Sequence, residues 1–298
     1  MDKTLVIGST GNLGREVVDG LVAAGAATRA LSRRQGVPDE GAERVPGGVE
    51  GVVGDLRDPA VLEAALTGVR SVFLVWPFLT TEHAPAVLDA IGRHARRVVY
   101  VSSSGVDRTV DRTVDRTVDR TAGRQTDPIR QLHADMEELI EKSGAEWTVL
   151  RADTFASNAR GWAAQIRAGD VVRGPDSAAT AVIDERDIAA VAVRALTEDG
   201  HGGATYVLTG PQVLSRAEQV RAIGDAVGRP LRFEAVPPDI ARERMLADGR
   251  PPALVDALLA GAEARPASEL ITTTVEDITG APARTFARWA ADRVDVFR

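Results

Sequence analysis

Three glycines near the amino terminus have a spacing that suits the binding of a diphosphate. The segment reads Gly8-Ser9-Thr10-Gly11-Asn12-Leu13-Gly14, follows the apolar run Leu5-Val6-Ile7 and precedes a stretch with helical periodicity. Glycines at a strand-to-helix turn let the backbone turn tightly and approach a phosphate, and the start of the helix adds free N–H groups and positive potential. The spacing GxxGxxG is one residue longer between its first two glycines than the usual dinucleotide fingerprint. We expect the diphosphate to contact Gly8, Thr10, Gly11, Asn12, Leu13 and Gly14.

Two later segments indicate which dinucleotide is bound. Ser32-Arg33-Arg34 stands where an acidic residue would accept a hydrogen bond from the ribose 2′-hydroxyl of NAD(H). An arginine can instead hold a 2′-phosphate through two hydrogen bonds, so the sequence favours NADP(H), with Arg33 as the first choice and Arg34 as the second. The alternative is that both are solvated loop arginines. Asp55 could accept from the adenine amine, and Leu56 would adjoin the same pocket.

His133 and Glu137 are the candidates for proton transfer. They are four residues apart in a segment with helical periodicity, and therefore share one face of the predicted helix. His133 could donate a proton to a reduced acceptor, with Glu137 orienting the imidazole and raising its pKa. The alternative is that His133 packs at the edge of the core, with Glu137 as its partner on the solvent side. An acceptor that takes its proton from solvent would need neither residue.

Aromatic residues could form the walls of a pocket for the nicotinamide and a flat acceptor. Trp76, Pro77 and Phe78 follow the fourth strand-like run, and Phe155 and Asn158 follow the sixth. We expect Trp76 beside the cofactor, and Phe78, Phe155 and Asn158 around the substrate. Packing in the core or in a small lobe is the alternative for each of them. Ser102, at the end of the fifth run, is a further candidate for contact with the cofactor.

The elements that must position these residues alternate between strand-like and helical patterns. Apolar runs typical of buried strands occur at 5–7, 28–31, 51–53, 72–75, 98–102, 147–151 and 205–209. Helical stretches lie between them at 12–24, 59–66, 84–94, 128–143 and 184–196. This alternation predicts βαβ units and an α/β Rossmann fold with a doubly wound parallel sheet.

The sequence also predicts how the chain is divided. Residues 1–155 form the dinucleotide-binding domain, and residues 156–298 complete the sheet at about 178–210 and form a smaller, helix-rich substrate lobe. Within the first part, Val-Asp-Arg-Thr is repeated four times over Val106–Thr121. Val and Thr are poor helix formers, so we interpret this low-complexity insert as an exposed spacer.

Several segments together resemble the NmrA-like branch of the atypical short-chain dehydrogenases/reductases. They are 8–14, 54–56, 100–104, 147–151, 183–189 and 275–289. The resemblance covers nearly the whole chain except the insert, and implies a Rossmann fold, NADP(H) binding and a small substrate lobe. The family includes reductases of quinones and other conjugated acceptors, and also catalytically silent redox sensors. The Tyr-x-x-x-Lys pair of the wider superfamily is absent, since neither Tyr100 nor Tyr206 has a lysine four residues later.

Composition excludes several other classes. The 298 residues are 44% hydrophobic and 27% charged, with a net charge of −7 and no cysteine. This acidity disfavours nucleic acid and anionic membranes as partners. The absence of cysteine removes thiolate chemistry, and the histidines lack metal-ligand spacing, so no metal is expected. We expect a cytoplasmic protein, because a cysteine-free chain suits a reducing compartment and the first apolar run is too short for a signal peptide or a membrane span.

We therefore predict an NADP(H)-dependent oxidoreductase that transfers hydride to a small quinone-like, conjugated or carbonyl acceptor. One alternative is a non-catalytic NADP(H)-binding redox sensor that reports to a protein partner. Another is an epimerase or dehydratase of a nucleotide sugar or a natural-product intermediate, although the missing tyrosine disfavours the usual route. The expected partner is a small-molecule substrate, and a homodimer or a protein partner is compatible with the sequence.

Overall fold

The computed structural model describes residues 3–33, 48–106, 127–264 and 269–298. Its strands are β1 (Lys3–Ile7), β2 (Ala27–Ser32), β3 (Glu50–Val53), β4 (Val69–Leu74), β5 (Arg97–Ser103), β6 (Glu146–Ala152), β7 (Val171–Pro175), β8 (Ala204–Leu208) and β9 (Arg232–Val236). The main sheet has seven parallel strands in the order β3-β2-β1-β4-β5-β6-β8. The strand order reverses between β1 and β4, and open α/β sheets bind ligands at such a point.

Helices cover both faces of this sheet. They are α1 (Asn12–Ala23), α2 (Pro59–Leu66), α3 (Ala84–His94), α4 (Pro128–Glu141), α5 (Ala163–Ala168), α6 (Glu185–Thr197), α7 (Arg216–Val227), α8 (Pro238–Ala247), α9 (Pro252–Ala264), α10 (Thr274–Thr279) and α11 (Phe286–Asp292), with 3₁₀ helices η1 (Ala156–Trp162) and η2 (Val294–Val296). On one face Leu74 and Tyr100 pack with α2, α3 and α4; on the other, Phe73 and Val99 pack with α1 and α6. Because helices cover both faces, the central strands β1, β2, β4 and β5 are almost wholly buried, whereas the edge strand β3 is mostly exposed.

Two arginines at the amino-terminal edge of the sheet hold the ends of helices. Arg29 on β2 donates to the carbonyl oxygens of Ala65 and Thr67 at the end of α2, at 2.7 and 2.8 Å. Arg97 on β5 donates to the carbonyl oxygen of Glu198 just past α6, at 2.6 Å. A cation there satisfies carbonyls that have no partner within the helix and complements the negative end of the helix dipole.

A smaller lobe stands over the carboxyl ends of β6 and β8. It contains a two-stranded parallel sheet of β7 and β9, together with η1, α5, α7 and α11. Its core is built around the fully buried Trp289, which stacks on Phe286 with ring centroids 5.3 Å apart. The two strands of this lobe were not identified from the sequence. Among the described residues, no helix combines the length and the apolar character needed to cross a membrane.

The predicted fold class is confirmed. The seven runs expected to be strands are β1 to β6 and β8, and the five helical stretches are α1, α2, α3, α4 and α6, each within a few residues of its expected limits. Of the repeat, Val106 is described and is 5% exposed. Residues 107–121, the remainder of the predicted insert, lie outside the described residues. The boundary proposed between the domains stays a prediction.

Candidate active site

The glycine turn between β1 and α1 is as tight as the sequence predicts. Gly8 has a φ of +87°, which side-chain-bearing residues rarely adopt. A Cβ on Gly14 would lie 2.1 Å from the carbonyl oxygen of Gly8, so the helix can approach the turn only without a side chain there. The N–H of Gly11 donates to the same Gly8 oxygen at 3.0 Å, and Ser9 Oγ donates to the carbonyl oxygen of Leu31 at 3.1 Å. The turn is therefore fixed both to itself and to β2.

The start of α1 is open to a ligand. Gly11 is the N-terminal cap, no side chain caps the helix, and its first turn carries no acidic residue. Thr10, Gly11 and Asn12 are exposed, whereas Leu13 is buried in the core and anchors the helix. The free N–H groups at a helix start attract anions, and here neither a capping side chain nor a carboxylate competes for them. The site thus fits a diphosphate.

Charged residues gather beside this turn, at the ends of β2 and β3. Arg33 is exposed directly after β2. Asp55 accepts from the Nε and Nη2 atoms of Arg57, at 3.0 and 2.8 Å, and from the Arg57 backbone N–H at 2.8 Å. These hydrogen bonds, with a smaller contribution from the charge of Arg33, hold the pKa of Asp55 well below its usual range. The carboxylate expected to accept from adenine is thus already paired with Arg57, which the sequence analysis had not singled out. Arg34 lies outside the described residues.

An aromatic cluster follows β4. Trp76 and Phe78 meet edge to face with ring centroids 5.1 Å apart, and the guanidinium carbon of Arg57 lies 5.4 Å from the centre of the Phe78 ring. The indole N–H of Trp76 donates to the carbonyl oxygen of Thr80 at 2.9 Å, and the Trp76 side chain is buried. Phe78 is half-buried and Pro77 is exposed. Trp76 thus anchors the segment in the core, and Phe78 lies next to the charged cluster.

His133, on α4, contacts a tyrosine rather than Glu137. Its Nδ1 lies 2.7 Å from the hydroxyl oxygen of Tyr100, which is fully buried on β5. Burial lowers the pKa of His133 to about 4, although the charge of Glu137 acts in the opposite direction. The expected rise of this pKa is therefore wrong, because the loss of hydration outweighs the carboxylate. Burial, followed by the charge of Glu137, raises the pKa of Tyr100. Both side chains of this pair are neutral at pH 7.

Glu137 is fully buried and belongs to a different set of contacts. Its Oε1 accepts from Ser102 Oγ at 2.6 Å and from Arg151 Nε at 3.0 Å, and its Oε2 accepts from Arg151 Nη2 at 2.6 Å. The alternative in which Glu137 partners His133 on the solvent side is therefore wrong. The Glu137 carboxylate thus ties α4 to β6 through Arg151 and to β5 through Ser102, and it accepts the hydroxyl hydrogen of Ser102, which was expected to face the cofactor.

The residues expected on the substrate side lie at the start of η1. Phe155 forms an isolated parallel bridge with Ile183 and is half-buried. Asn158 is exposed, and its backbone N–H donates to the carbonyl oxygen of Phe155 at 3.1 Å. Both follow β6 as Phe78 follows β4, so they stand at the same edge of the sheet as the glycine turn. The described residues contain no group of three His, Cys, Asp or Glu placed to hold a metal ion.

Comparisons with known proteins agree with this geometry. Residues 8–199 match a family model described as NAD(P)H-binding. The chain is 38% identical to a (4-alkanoyl-5-oxo-2,5-dihydrofuran-3-yl)methyl phosphate reductase of Streptomyces griseus and 35% identical to an NAD(P)H azoreductase of Xenophilus azovorans, each over 98% of both chains. A crystal structure of an NADPH-dependent quinone oxidoreductase from Escherichia coli aligns with a TM-score of 0.72 at 22% identity, covering 97% of this chain and 98% of that one. The last likeness concerns the fold.

Proposed function

The chain belongs to the NAD(P)H-binding family, in its NmrA-like branch, and is an NAD(P)H-dependent reductase of small organic acceptors; we propose that it prefers NADPH and reduces a flat, conjugated acceptor. The observation that carries the proposal is the uncapped start of α1, with Arg33 beside it at the end of β2. The relatives named as reductases of an unsaturated oxo-dihydrofuran and of azo compounds favour a conjugated acceptor over an epimerase or dehydratase substrate.

The preference for NADPH rests on the charges around Arg33. An acidic residue at the end of β2 would repel a 2′-phosphate, and none follows Ser32 there. The nearby Asp55 is neutralised by Arg57, so the positive charge of Arg33 remains available to the phosphate. Arg57 adds a planar guanidinium that could stack on adenine on the side opposite Phe78.

The remaining candidate residues would orient the two reactants. The glycine turn and Gly11 to Leu13 would hold the diphosphate, and the bound nicotinamide would supply the hydride. Phe78 offers a half-buried aromatic surface for a planar acceptor, and Phe155 and Asn158 would bound the pocket on the lobe side. Aromatic walls bind flat conjugated molecules through their large apolar faces.

His133 would act as a neutral hydrogen-bond donor. With its pKa near 4, the imidazole carries one proton at pH 7, and the Tyr100 hydroxyl can donate to its Nδ1. In that tautomer Nε2 holds the proton and can donate a hydrogen bond to an oxygen or nitrogen of the acceptor. A neutral imidazole is a weak acid, so the proton that completes reduction would come from solvent. Glu137 would act indirectly, by fixing α4 against the sheet.

The proposal is tested by mixing the purified chain with NADPH or NADH and a panel of quinones, enones and azo compounds, and following the nicotinamide absorbance. We expect oxidation of NADPH with conjugated acceptors and a lower kcat/KM with NADH. A chain that binds NADPH but oxidises it with no member of the panel would contradict the proposed acceptor class. An equal kcat/KM for both cofactors would contradict the role of Arg33.

Two further features belong to the proposal. We place the protein in the cytoplasm, since NADPH and a cysteine-free chain both suit a reducing compartment. A homodimer or a complex with a protein partner is compatible with the sequence, and light scattering on the purified chain would detect a homodimer.

A further inference from the structure

Three half-buried arginines in or next to the lobe lack a carboxylate partner: Arg160, Arg216 and Arg250. Other half-buried arginines are paired, as Arg151 is with Glu137 and Arg293 is with Glu16. Among the described residues, no ion pair reaches the guanidinium of any of these three, which we call the lobe arginines. In a chain with a net charge of −7, acidic side chains are in excess, so their absence here is informative. Unpaired charges in a partly desolvated wall create a positive potential that attracts anions.

Arg216 has the most developed surroundings. It is the first residue of α7, and its Nε donates to Ser177 Oγ at 2.9 Å, which orients the guanidinium. Burial lowers the pKa of Arg216, while the charge of the exposed Asp176 acts in the opposite direction. At the same helix start, Glu218 accepts from Ser215 in a capping box and is the second acidic group nearby. Neither carboxylate pairs with Arg216 in the described chain, so both Nη groups remain available as donors.

The guanidinium of Arg216 lies against β7, beside Gly174. Its Nη1 lies 3.3 Å from the position that a Cβ on Gly174 would occupy, beside the Phe233 ring. The chain from Ser177 continues through Thr180, which pairs with Leu214, to Ile183, which pairs with Phe155. The Arg216 site is thus joined to the proposed substrate wall by a short segment of paired backbone.

Arg160 and Arg250 lie on and against η1, and this helix contacts the surroundings of Arg216 through Trp162, whose ring centroid is 6.4 Å from that of Phe233. Arg160 belongs to η1, and its Nε is buried without a hydrogen-bond partner. Arg250 is in the turn between α8 and α9, and its Nη2 lies 3.3 Å from the position that a Cβ on Gly161 would take. Residues three apart in a 3₁₀ helix face the same way, so Gly161 shares the face of Asn158. Arg250 therefore lies against the face of η1 that also carries Asn158, which is proposed to contact the substrate.

We propose that the lobe arginines form a subsite for an anionic group of the acceptor, of the phosphate monoester type. The substrate is then a conjugated acceptor with a phosphate arm: its conjugated part lies against Phe78 and Phe155, and its anionic arm points into the lobe. Guanidinium groups match such an oxyanion, because each can give it two parallel hydrogen bonds. This inference rests on the proposed function, because it names the class of substrate at the same site.

One test measures binding without catalysis. Phenyl phosphate is titrated calorimetrically into the NADPH-saturated chain, with benzyl alcohol as the uncharged reference. We expect phenyl phosphate to bind and benzyl alcohol to bind more weakly. Arg216→Met and Arg250→Met should each weaken phenyl phosphate at least about tenfold, since a hydrogen bond to a charged group is typically worth that much. Arg216→Lys, which keeps the charge but loses the planar fork, should lie between wild type and Arg216→Met.

Arg221→Met is the matched control, because Arg221 is exposed on the same helix, α7. This variant should bind phenyl phosphate as the wild type does. Circular dichroism verifies that each variant is folded. Equal affinity of phenyl phosphate for Arg216→Met, Arg250→Met and Arg221→Met would overturn the subsite. So would equal binding of phenyl phosphate and benzyl alcohol to the wild type.

A kinetic test distinguishes failure of the subsite from failure of the proposed function. The ratio of kcat/KM for 1,4-naphthoquinone-2-sulfonate to that for 1,4-naphthoquinone is measured with NADPH. We expect Arg216→Met to lower this ratio about tenfold through the KM of the sulfonate, and Arg221→Met to leave it unchanged. Turnover of both quinones with the same ratio in both variants would refute the subsite and leave the reductase intact. No turnover of either quinone would contradict the acceptor class. The calorimetric test would then still show whether the lobe arginines bind an anion.

Discussion

Replacing His133 with asparagine should remove a specific part of the acid sensitivity of folding. Asparagine can still hydrogen-bond to the Tyr100 hydroxyl, which now lies 2.7 Å from Nδ1, but it has no proton to gain above pH 3. The histidine titrates differently in the two states, because burial lowers its folded pKa from 6.5 to about 4. The contribution of His133 to the pH dependence of stability can therefore be calculated, and the substitution by asparagine should remove it.

The sign follows from which state binds the proton. Below pH 6.5 His133 becomes protonated in the unfolded chain, whereas in the folded chain it stays neutral until the pH approaches 4. Stability attributable to this residue is therefore intact above pH 6.5 and is lost as the pH falls through this window. At pH 5 the loss amounts to about 2 kcal/mol, since nearly all unfolded chains and few folded ones are protonated there.

The free energy of unfolding by urea at pH 7 and at pH 5 measures this loss in the wild type and in His133→Asn. We expect the decrease between the two values to be smaller in the variant by about 2 kcal/mol, with the carboxylates contributing equally to both. His201→Asn is the matched control, because His201 also contacts a tyrosine hydroxyl through Nδ1, at 2.9 Å from Tyr206. An identical pH dependence in His133→Asn and the wild type would refute the claim that His133 is held neutral.

Three further substitutions test other parts of the structure. Arg33→Ala should weaken NADPH binding about tenfold or more and NADH binding much less, measured by fluorescence titration; equal losses would exclude a 2′-phosphate contact. Arg151→Met should cost about 3–5 kcal/mol in urea unfolding because it removes the arginine that neutralises the buried carboxylate of Glu137, and wild-type stability would contradict that ion pair. Trp289→Phe removes the donor, 3.0 Å away, of the buried Glu185 and should cost about 1–3 kcal/mol; an unchanged thermal midpoint would show that the carboxylate finds another partner.

The main sheet could be predicted from the sequence because its central strands are buried on both faces. Each is a short apolar run next to a helix with one apolar face, and such local patterns suffice for a βαβ alternation. The strands β7 and β9 could not be found this way. They pair Val171–Pro175 with Arg232–Val236, far apart in sequence, and β9 has no buried residue and no regular alternation of exposure. Pairing of that kind depends on tertiary contacts rather than on local pattern.

For the same reason, the glycine turn could be predicted from the sequence more completely than the surroundings of His133 and Glu137. The glycine turn is local: its chemistry depends on seven consecutive residues and on the elements beside them, so the sequence could predict it. The spacing of His133 and Glu137 correctly indicates a shared helix face, but it does not identify what that face meets. Their partners Tyr100 and Arg151 come from β5 and β6, and the resulting burial reverses the expected pKa shift.

The central claim is that a dinucleotide binds with its diphosphate at the turn between β1 and α1. Calorimetric titration of NADPH into wild type, Gly14→Ala and Gly169→Ala tests it most directly. A Cβ on Gly14 would meet the Gly8 carbonyl oxygen at 2.1 Å, whereas a Cβ on Gly169 would meet open space. We expect binding to wild type and Gly169→Ala and its loss in a folded Gly14→Ala. Equal binding to all three chains, or none to the wild type, would contradict the account.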